Sequence, residues 1–330
     1  MTRPLGVGLP PLETRRDVVV HLAQRAEQLG YDTFSVAEAW GWDAGIVLAE
    51  IAARTTRIRL GTGVINTWGR SAGTLAMMAA TLDAASAGRF TLGLGAGSPA
   101  LAEGLHDVWF ADPLAHLADR TRQVRRLLRG ERLEATTGHK GLRLGIPPCP
   151  GLPIHLAALG PRSVRLAGEL ADGWDPFLLP VSAFADVRDE LRAAARAAGR
   201  DTTPTVCPAI PTAVAQDPDT ARSVASWWVG FYLTAMGPLY PRTLRRLGLG
   251  GAVDEVVAAN PTARTTDVPA SADVLLDELT IRGDAGHARA ALDRWYAAGA
   301  ECPAIVLPPG RDVEELEFVL ETLAPQPRNS

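Results

Sequence analysis

From its first residues the chain alternates short apolar runs with longer stretches in which apolar positions recur at helical spacing. This is the pattern of repeated strand–helix units on a parallel sheet. "PLGVGL" reads as a first strand. "TRRDVVVHLAQRAEQLG" follows with Val19, Ala23 and Ala26 near a helical period, and Gly30 closes it as a helix stop. "DTFSVAEA", "RIRLGTG" and "RFTLGLGAG" read as strands two to four, with helices over "AGIVLAEIAART" and "AGTLAMMAATLDAASAG" between them. A helix over "LAHLADRTRQVRRLLRG" leads into residues 131–150, a Gly/Pro-rich, hairpin-like passage that reads as an insertion after strand four. The alternation resumes through "PIHLAAL", "SVRLAGELA", "DGWDPFL", "FADVRDELRAAARAAG" and "PTVCPAIPTAVA". The later part is more helical, over "DTARSVASWWVGFYLTAMG", "YPRTLRRLG" and "DAGHARAALDRWYAAGA", before a last strand at "CPAIVLP". These come to about eight strands, the number that closes a barrel. The predicted fold is α/β: a single (β/α)8 TIM-barrel domain over residues 1–330, with that insertion and with extra helices late in the chain.

Composition narrows the function classes. Hydrophobic residues at 47% and charged residues at 21% describe an ordinary globular protein, and no apolar run approaches membrane-spanning length. A formal charge of -4 provides no basic field for nucleic acid. "MTRPLGVGLPP" has no signal-peptide apolar stretch, so a cytoplasmic location is expected. Cys149, Cys207 and Cys302 are far apart and unpatterned, matching neither a zinc motif nor a disulfide framework. Lys140 is the only lysine and lies in a turn, which argues against Schiff-base chemistry.

In a barrel of this class ligands sit at the C-terminal strand ends. Strand two ends "VAEAWGWD": Glu38 either accepts a hydrogen bond or moves a proton, or is a helix-start carboxylate, while Trp40 and Trp42 either wall a flat ligand or pack. Strand three runs into "GTGVINTWGRS", and strand four into "GLGAGSP", a turn where a ligand could approach the backbone or simply a tight βα connection. Strand five ends "ALGPRSV". There Gly160, Pro161, Arg162 and Ser163 suit a phosphate at a helix N-terminus, or an ordinary capped helix. His21, His116, His139 and His287 read as surface or helix positions; His106 and His155 are better placed, but without a paired-ligand motif no metal site is expected. No G-x-S-x-G elbow is present.

Two long segments carry a family likeness. "TLAMMAATLDAASAGRFTLGLGAGSP" resembles the A-x-x-x-x-T-L-D-x-x-S-x-G-R-F-x-L-G-L-G-x-G signature of the bacterial luciferase-like superfamily. "PIHLAALGPRSVRLAGELADGW" resembles its second signature, especially in the branch that uses the deazaflavin coenzyme F420 and includes methylenetetrahydromethanopterin reductase-like proteins. "AEQLGYDTFSVAEAW", "YLTAMGPLY" and "AAGAECPAIVLP" fit the same branch. The resemblance implies a TIM barrel binding F420, or FMN in sister groups, and a non-prolyl cis peptide that matches Gly63-Val64 here. It implies Ala37 and Glu38 beside the cofactor head, Asn66 by its ring or ribityl chain, Gly95, Ala96, Gly97 and Ser98 along its length, and Leu159, Gly160, Pro161, Arg162 and Ser163 at its phosphate. F420-dependent glucose-6-phosphate dehydrogenases carry a histidine and a glutamate where this chain has Ala39 and Ser98, so sugar-phosphate oxidation is not implied.

The resulting expectation is an F420-dependent oxidoreductase moving a hydride to or from a C=C, C=N or C=O group, with Glu38 as the one strand-end acid available for a proton. The alternatives are an FMN-dependent monooxygenase and a non-catalytic cofactor-binding paralogue. Trp40, Trp42, Trp68, His106, Trp174, Trp227 and Tyr232 are the expected substrate walls. The expected partners are a small molecule and a second copy in a homodimer, with neither nucleic acid nor membrane.

Overall fold

Eleven strands, all paired in parallel, form one curled sheet in the computed structural model, which describes residues 3–262 and 266–325. In chain order they are β1 (Gly6–Leu9), β2 (Thr33–Val36), β3 (Arg59–Thr62), β4 (Ile65–Asn66), β5 (Phe90–Gly95), β6 (Ile154–Leu156), β7 (Gly173–Trp174), β8 (Thr205–Val206), β9 (Ala209–Val214), β10 (Ile281–Gly283) and β11 (Ala304–Val306). Neighbours run β10-β9-β11-β1-β2-β3-β5-β6-β7-β8, with β4 on β5. β8 lies on β7 and β9 on β11, and only Cys207 and Pro208 separate β8 from β9. The path therefore returns on itself, helped by a bridge from Phe177 to Ala209, and the sheet is TIM-barrel-like. Pro208, which has no N–H, interrupts what the sequence predicts as one strand over 204–215.

The helices are α1 (Arg16–Gln28), α2 (Ala44–Arg54), α3 (Ala72–Ala85), α4 (Pro99–Ala102), α5 (Pro113–Leu128), α6 (Pro161–Leu170), α7 (Val181–Ala197), α8 (Pro218–Thr234), α9 (Leu239–Leu244), α10 (Gly250–Ala259), α11 (Val274–Leu279), α12 (Ala285–Ala297) and α13 (Val313–Leu323). A π-helical turn at Arg245–Leu249, kinked where Gly248 has φ +88°, joins α9 to α10. None of these helices is long and apolar enough to cross a membrane. Residues 131–150 contain no helix or strand, and their hairpin character reduces to Leu133 N donating to Leu142 O at 2.8 Å.

Alternation along the strands sets the two faces of the sheet. Val7, Phe34, Leu60, Leu92, Ile154, Leu156 and Trp174 are buried in the main apolar core with the helices. The opposite face is lined by small residues, and a Cβ added to Gly6 would stand 2.1 Å from Thr33 Oγ1. A second core, built by Trp228, Val229 and Tyr232 of α8 with residues of α10 and α11, packs on Leu178, Ala213 and Val306. This is the late helical elaboration in physical form.

Candidate active site

Ala37 and Glu38 are held at the end of β2 by backbone bonds: Ala37 N donates to Leu9 O at 3.0 Å and Glu38 N to Val64 O at 3.2 Å. The Glu38 carboxylate is gripped through both oxygens by the Arg70 guanidinium, with Nη2 to Oε2 at 2.9 Å and Nη1 on Oε1. It also accepts from Ala44 N, the first residue of α2, at 2.9 Å. Arg70 Nη2 reaches Asp43 Oδ2 at 2.6 Å, and Asp43 caps α2 through Ile46 N at 3.1 Å. Both members of the Glu38–Arg70 pair are largely buried. The hydrogen bonds that Arg70 donates to Glu38 raise the Arg70 pKa against the opposing effect of burial. Glu38 therefore also acts as a carboxylate at the start of α2, bonded to its first amide.

The peptide bond between Gly63 and Val64 is cis. Gly63 N donates to Val36 O at 2.9 Å, while Thr62 Oγ1 donates to Gly93 O and accepts from Gly93 N, both at 2.8 Å. The Val64 side chain lies over two glycines, since a Cβ on Gly93 or Gly95 would come within 2.9 or 2.8 Å of it. Asn66 turns its Oδ1 to Trp68 N (3.0 Å) and Gly69 N (3.2 Å), and its Nδ2 meets His106 Nε2 at 3.4 Å. Asn66 thus braces its own loop, and His106 packs under Gly69, where a Cβ would be 2.5 Å from the ring.

Trp68 is buried. Its indole donates to Ala96 O at 2.7 Å and stacks on His116, ring centroids 3.8 Å apart and nearly parallel at 5°. His116, read from sequence as a bland helix position, bonds Thr67 O at 3.0 Å and completes this wall. Burial pulls its pKa below the usual histidine value, although the Thr67 carbonyl acts the other way. Gly97, at φ +67°, passes so close to Trp68 and Asn66 that a Cβ would lie 3.1–3.2 Å from them. Ser98 caps α4 through Leu101 N at 3.4 Å.

At the β6 end, Ser163 Oγ accepts from Gly160 N (3.1 Å) and Leu159 N (3.3 Å) and donates to Gly160 O (2.9 Å). Pro161 opens α6, and the Arg162 and Ser163 amides are among the donors a helix start leaves over. Arg162 is exposed. Arg246, from the π turn, donates to Leu159 O at 3.1 Å and brings a second exposed guanidinium to this turn. Nothing in the local sequence of Arg246 signals that approach.

The expected substrate walls divide. Trp40 and Trp42 are half exposed on the rim, Trp42 tied by its indole to Thr14 O at 2.8 Å. Trp174 corrects the expectation: it is fully buried on the helix side of the sheet, bonded to Ala158 O at 2.9 Å and stacked on Phe184. The alternation of β7 sends it outward. Trp227 stacks on Phe231 one turn along α8, and Tyr232 is buried among Phe177, Trp228 and Tyr240, so both serve the second core. Two surface grooves, of about 370 and 420 Å³, are lined by none of the strand-end residues above.

Against known proteins, the chain is 33% identical over 324 residues to a Mycobacterium tuberculosis protein assigned as a coenzyme F420-dependent oxidoreductase, covering 89% of this chain and 92% of that one. It is 30% identical over 278 residues to the F420-dependent hydroxymycolic acid dehydrogenase of the same organism, covering 78% of this chain and 75% of the relative. Its fold is similar to that of the coenzyme F420-dependent tetrahydromethanopterin reductase of Methanopyrus kandleri, with a TM-score of 0.78 at 19% identity over 98% of each chain. The profile described as luciferase-like monooxygenase matches residues 6–302. With that match over most of its length, the chain belongs to the luciferase-like monooxygenase family.

Proposed function

We propose that this chain is an F420-dependent oxidoreductase that moves a hydride between C5 of the deazaflavin and a C=C, C=N or C=O group of a small organic or natural-product substrate. The observation that carries this is the nearly full-length likeness to a protein assigned as a coenzyme F420-dependent oxidoreductase. The residues present fit such a group. The α6 turn, with its leftover amides and the exposed Arg162 and Arg246, suits a phosphate. The glycines of β5 and its turn leave room that side chains would fill. On this reading Leu159, Gly160, Pro161, Arg162 and Ser163 hold the phosphate end, and Gly95, Ala96, Gly97 and Ser98 run along the cofactor. Gly63, Val64 and Asn66 back its ring, with Ala37 and Glu38 at its head. Glu38, its lone pairs engaged by Arg70 and Ala44, orients rather than donates a proton. Trp40, Trp42 and the Trp68–His106 loop exclude water from the substrate side.

We also read the fold as one (β/α)8 domain with residues 131–150 as its insertion. We read the assembly as a homodimer. The deciding test is titration with F420 and with FMN, followed by tryptophan quenching. F420 is expected to bind and to exchange hydride with substrate. Tight FMN binding without F420 binding, together with O2 consumption on adding FMNH2, would instead make the chain a monooxygenase. A tight F420 complex inert to every substrate would make it a binding paralogue.

A further inference from the structure

The face of the sheet opposite the helices carries a cluster that the cofactor reading does not use. His155 on β6, Asp175 just past β7 and Cys207 just past β8 stand on three neighbouring strands, and one ligand atom from each lies within 4.8 Å of the other two. Register explains the meeting. His155 pairs with Gly173 and Gly173 with Thr205, while Leu156, Trp174 and Val206 form the next row. Asp175 and Cys207 follow one residue on, fixed by Asp175 N to Leu156 O at 3.1 Å and Cys207 N to Trp174 O at 2.9 Å. Leu156, Trp174 and Val206 are buried toward the helices, so alternation turns His155, Asp175 and Cys207 to the other face.

Gly173 makes the cluster possible, because a Cβ there would stand 2.3 Å from the imidazole Nε2. His155 Nδ1 and Asp175 Oδ1 are 2.9 Å apart, and both side chains keep about a fifth of their surface open, at 18% and 20%. Cys302, two residues before β11, is in hydrogen-bonding contact with the Cys207 thiol and stands behind it, outside the three-residue cluster. Neither thiol is in a disulfide.

One imidazole, one carboxylate and one thiol are donors that a zinc-class cation takes in sites with three protein ligands, and soft sulfur selects against magnesium and calcium. Ligand atoms already within 4.8 Å of each other need only a small contraction to surround such an ion. We propose that His155, Asp175 and Cys207 form a three-ligand binding site for a zinc-class divalent cation, with its fourth position left to water. The proposal stands or falls independently of the cofactor reading.

The test uses the reduced, chelator-treated full chain titrated with Co2+ alone and followed by its thiolate-to-cobalt absorption, then with Zn2+. One equivalent of Co2+ is expected to develop the band and Zn2+ to displace it. Cys207→Ser should abolish the band, and His155→Ala should weaken binding by about tenfold or more. Cys149→Ser, at a thiol outside the cluster, should leave both unchanged. No band and no stoichiometric zinc retention in the unaltered chain would overturn the proposal, as would a band that survives Cys207→Ser. Should Cys207→Ser fail to fold, Asp175→Asn decides together with His155→Ala: each is expected to weaken Co2+ binding by about tenfold or more, and unchanged affinity in both would sink the site.

Discussion

At Glu38 the question of role turns on how many lone pairs are left. Two guanidinium contacts and the Ala44 amide occupy its carboxylate, and the side chain is only 8% exposed. Removing one member of a buried pair leaves an uncompensated charge and typically costs about 3–5 kcal/mol. Arg70→Ala is therefore expected to lower the unfolding free energy, read as a lower urea midpoint at unchanged slope, by an amount near the lower end of that range, because Arg70 keeps 14% of its side-chain surface open. Glu38→Gln separates the roles. A proton carrier would lose turnover at nearly full stability, whereas an orienting residue loses stability first, with kcat falling only as cofactor affinity falls. His116 yields a second residue-scale expectation. Burial holds its folded pKa below the ordinary value near 6.5, so the unfolded chain binds the proton more readily. The corresponding stability is fully present above that pH and is lost as pH falls from it toward the folded value. Chemical denaturation at about pH 8 and about pH 5 should show a drop in the parent chain that His116→Gln reduces. An unchanged drop would remove His116 from the account.

Among the elements, β5 shows what glycine spacing conceals. The run "RFTLGLGAG" reads from sequence as a strand running into the glycine-dense turn "GLGAGSP", but the reason for its glycines is hidden: Gly93 and Gly95 lie within the strand, where the Thr62 carbonyl and the Val64 side chain press against them. A Cβ on Gly93 would meet Thr62 O at 2.0 Å, and backbone cannot yield cheaply. Gly93→Ala is expected to cost at least the upper end of the usual overpacking range of about 1–3 kcal/mol. Gly88 is the control. It has φ +81° and open space around it, so Gly88→Ala pays only the conformational penalty of about 1–2 kcal/mol. Guanidinium midpoints of the two variants should fall in that order; equal values would refute the steric account of β5. The main strand–helix alternation was legible because each buried strand carries an apolar row of period two. β10, only three residues long, and α10 and α11, within a glycine-rich and acidic stretch, carry too little pattern to be read that way.

Across the whole molecule, sheet closure brings together residues that no local window joins. The strand-end positions were legible through two long signatures, but not the second arginine at the α6 turn, nor the contact between Cys207 and Cys302, which depends on the register of β9 against β11. Arg246 makes this testable, because it reaches Leu159 from a late helical turn while its neighbour Arg245 turns away to Asp254 at 2.7 Å. If the α6 turn holds the cofactor's phosphate, a charge-assisted contact from Arg246 contributes about 1.5–3 kcal/mol. Arg246→Ala should then weaken F420 binding by about tenfold or more and flatten its salt dependence, since the lost term is Coulombic and screened. Arg245→Ala should leave Kd and salt slope unchanged. Tryptophan-quenching titrations at two ionic strengths read both quantities. Equal Kd values for the two variants would detach the late helices from the cofactor site and leave the phosphate to Arg162 and the α6 amides alone.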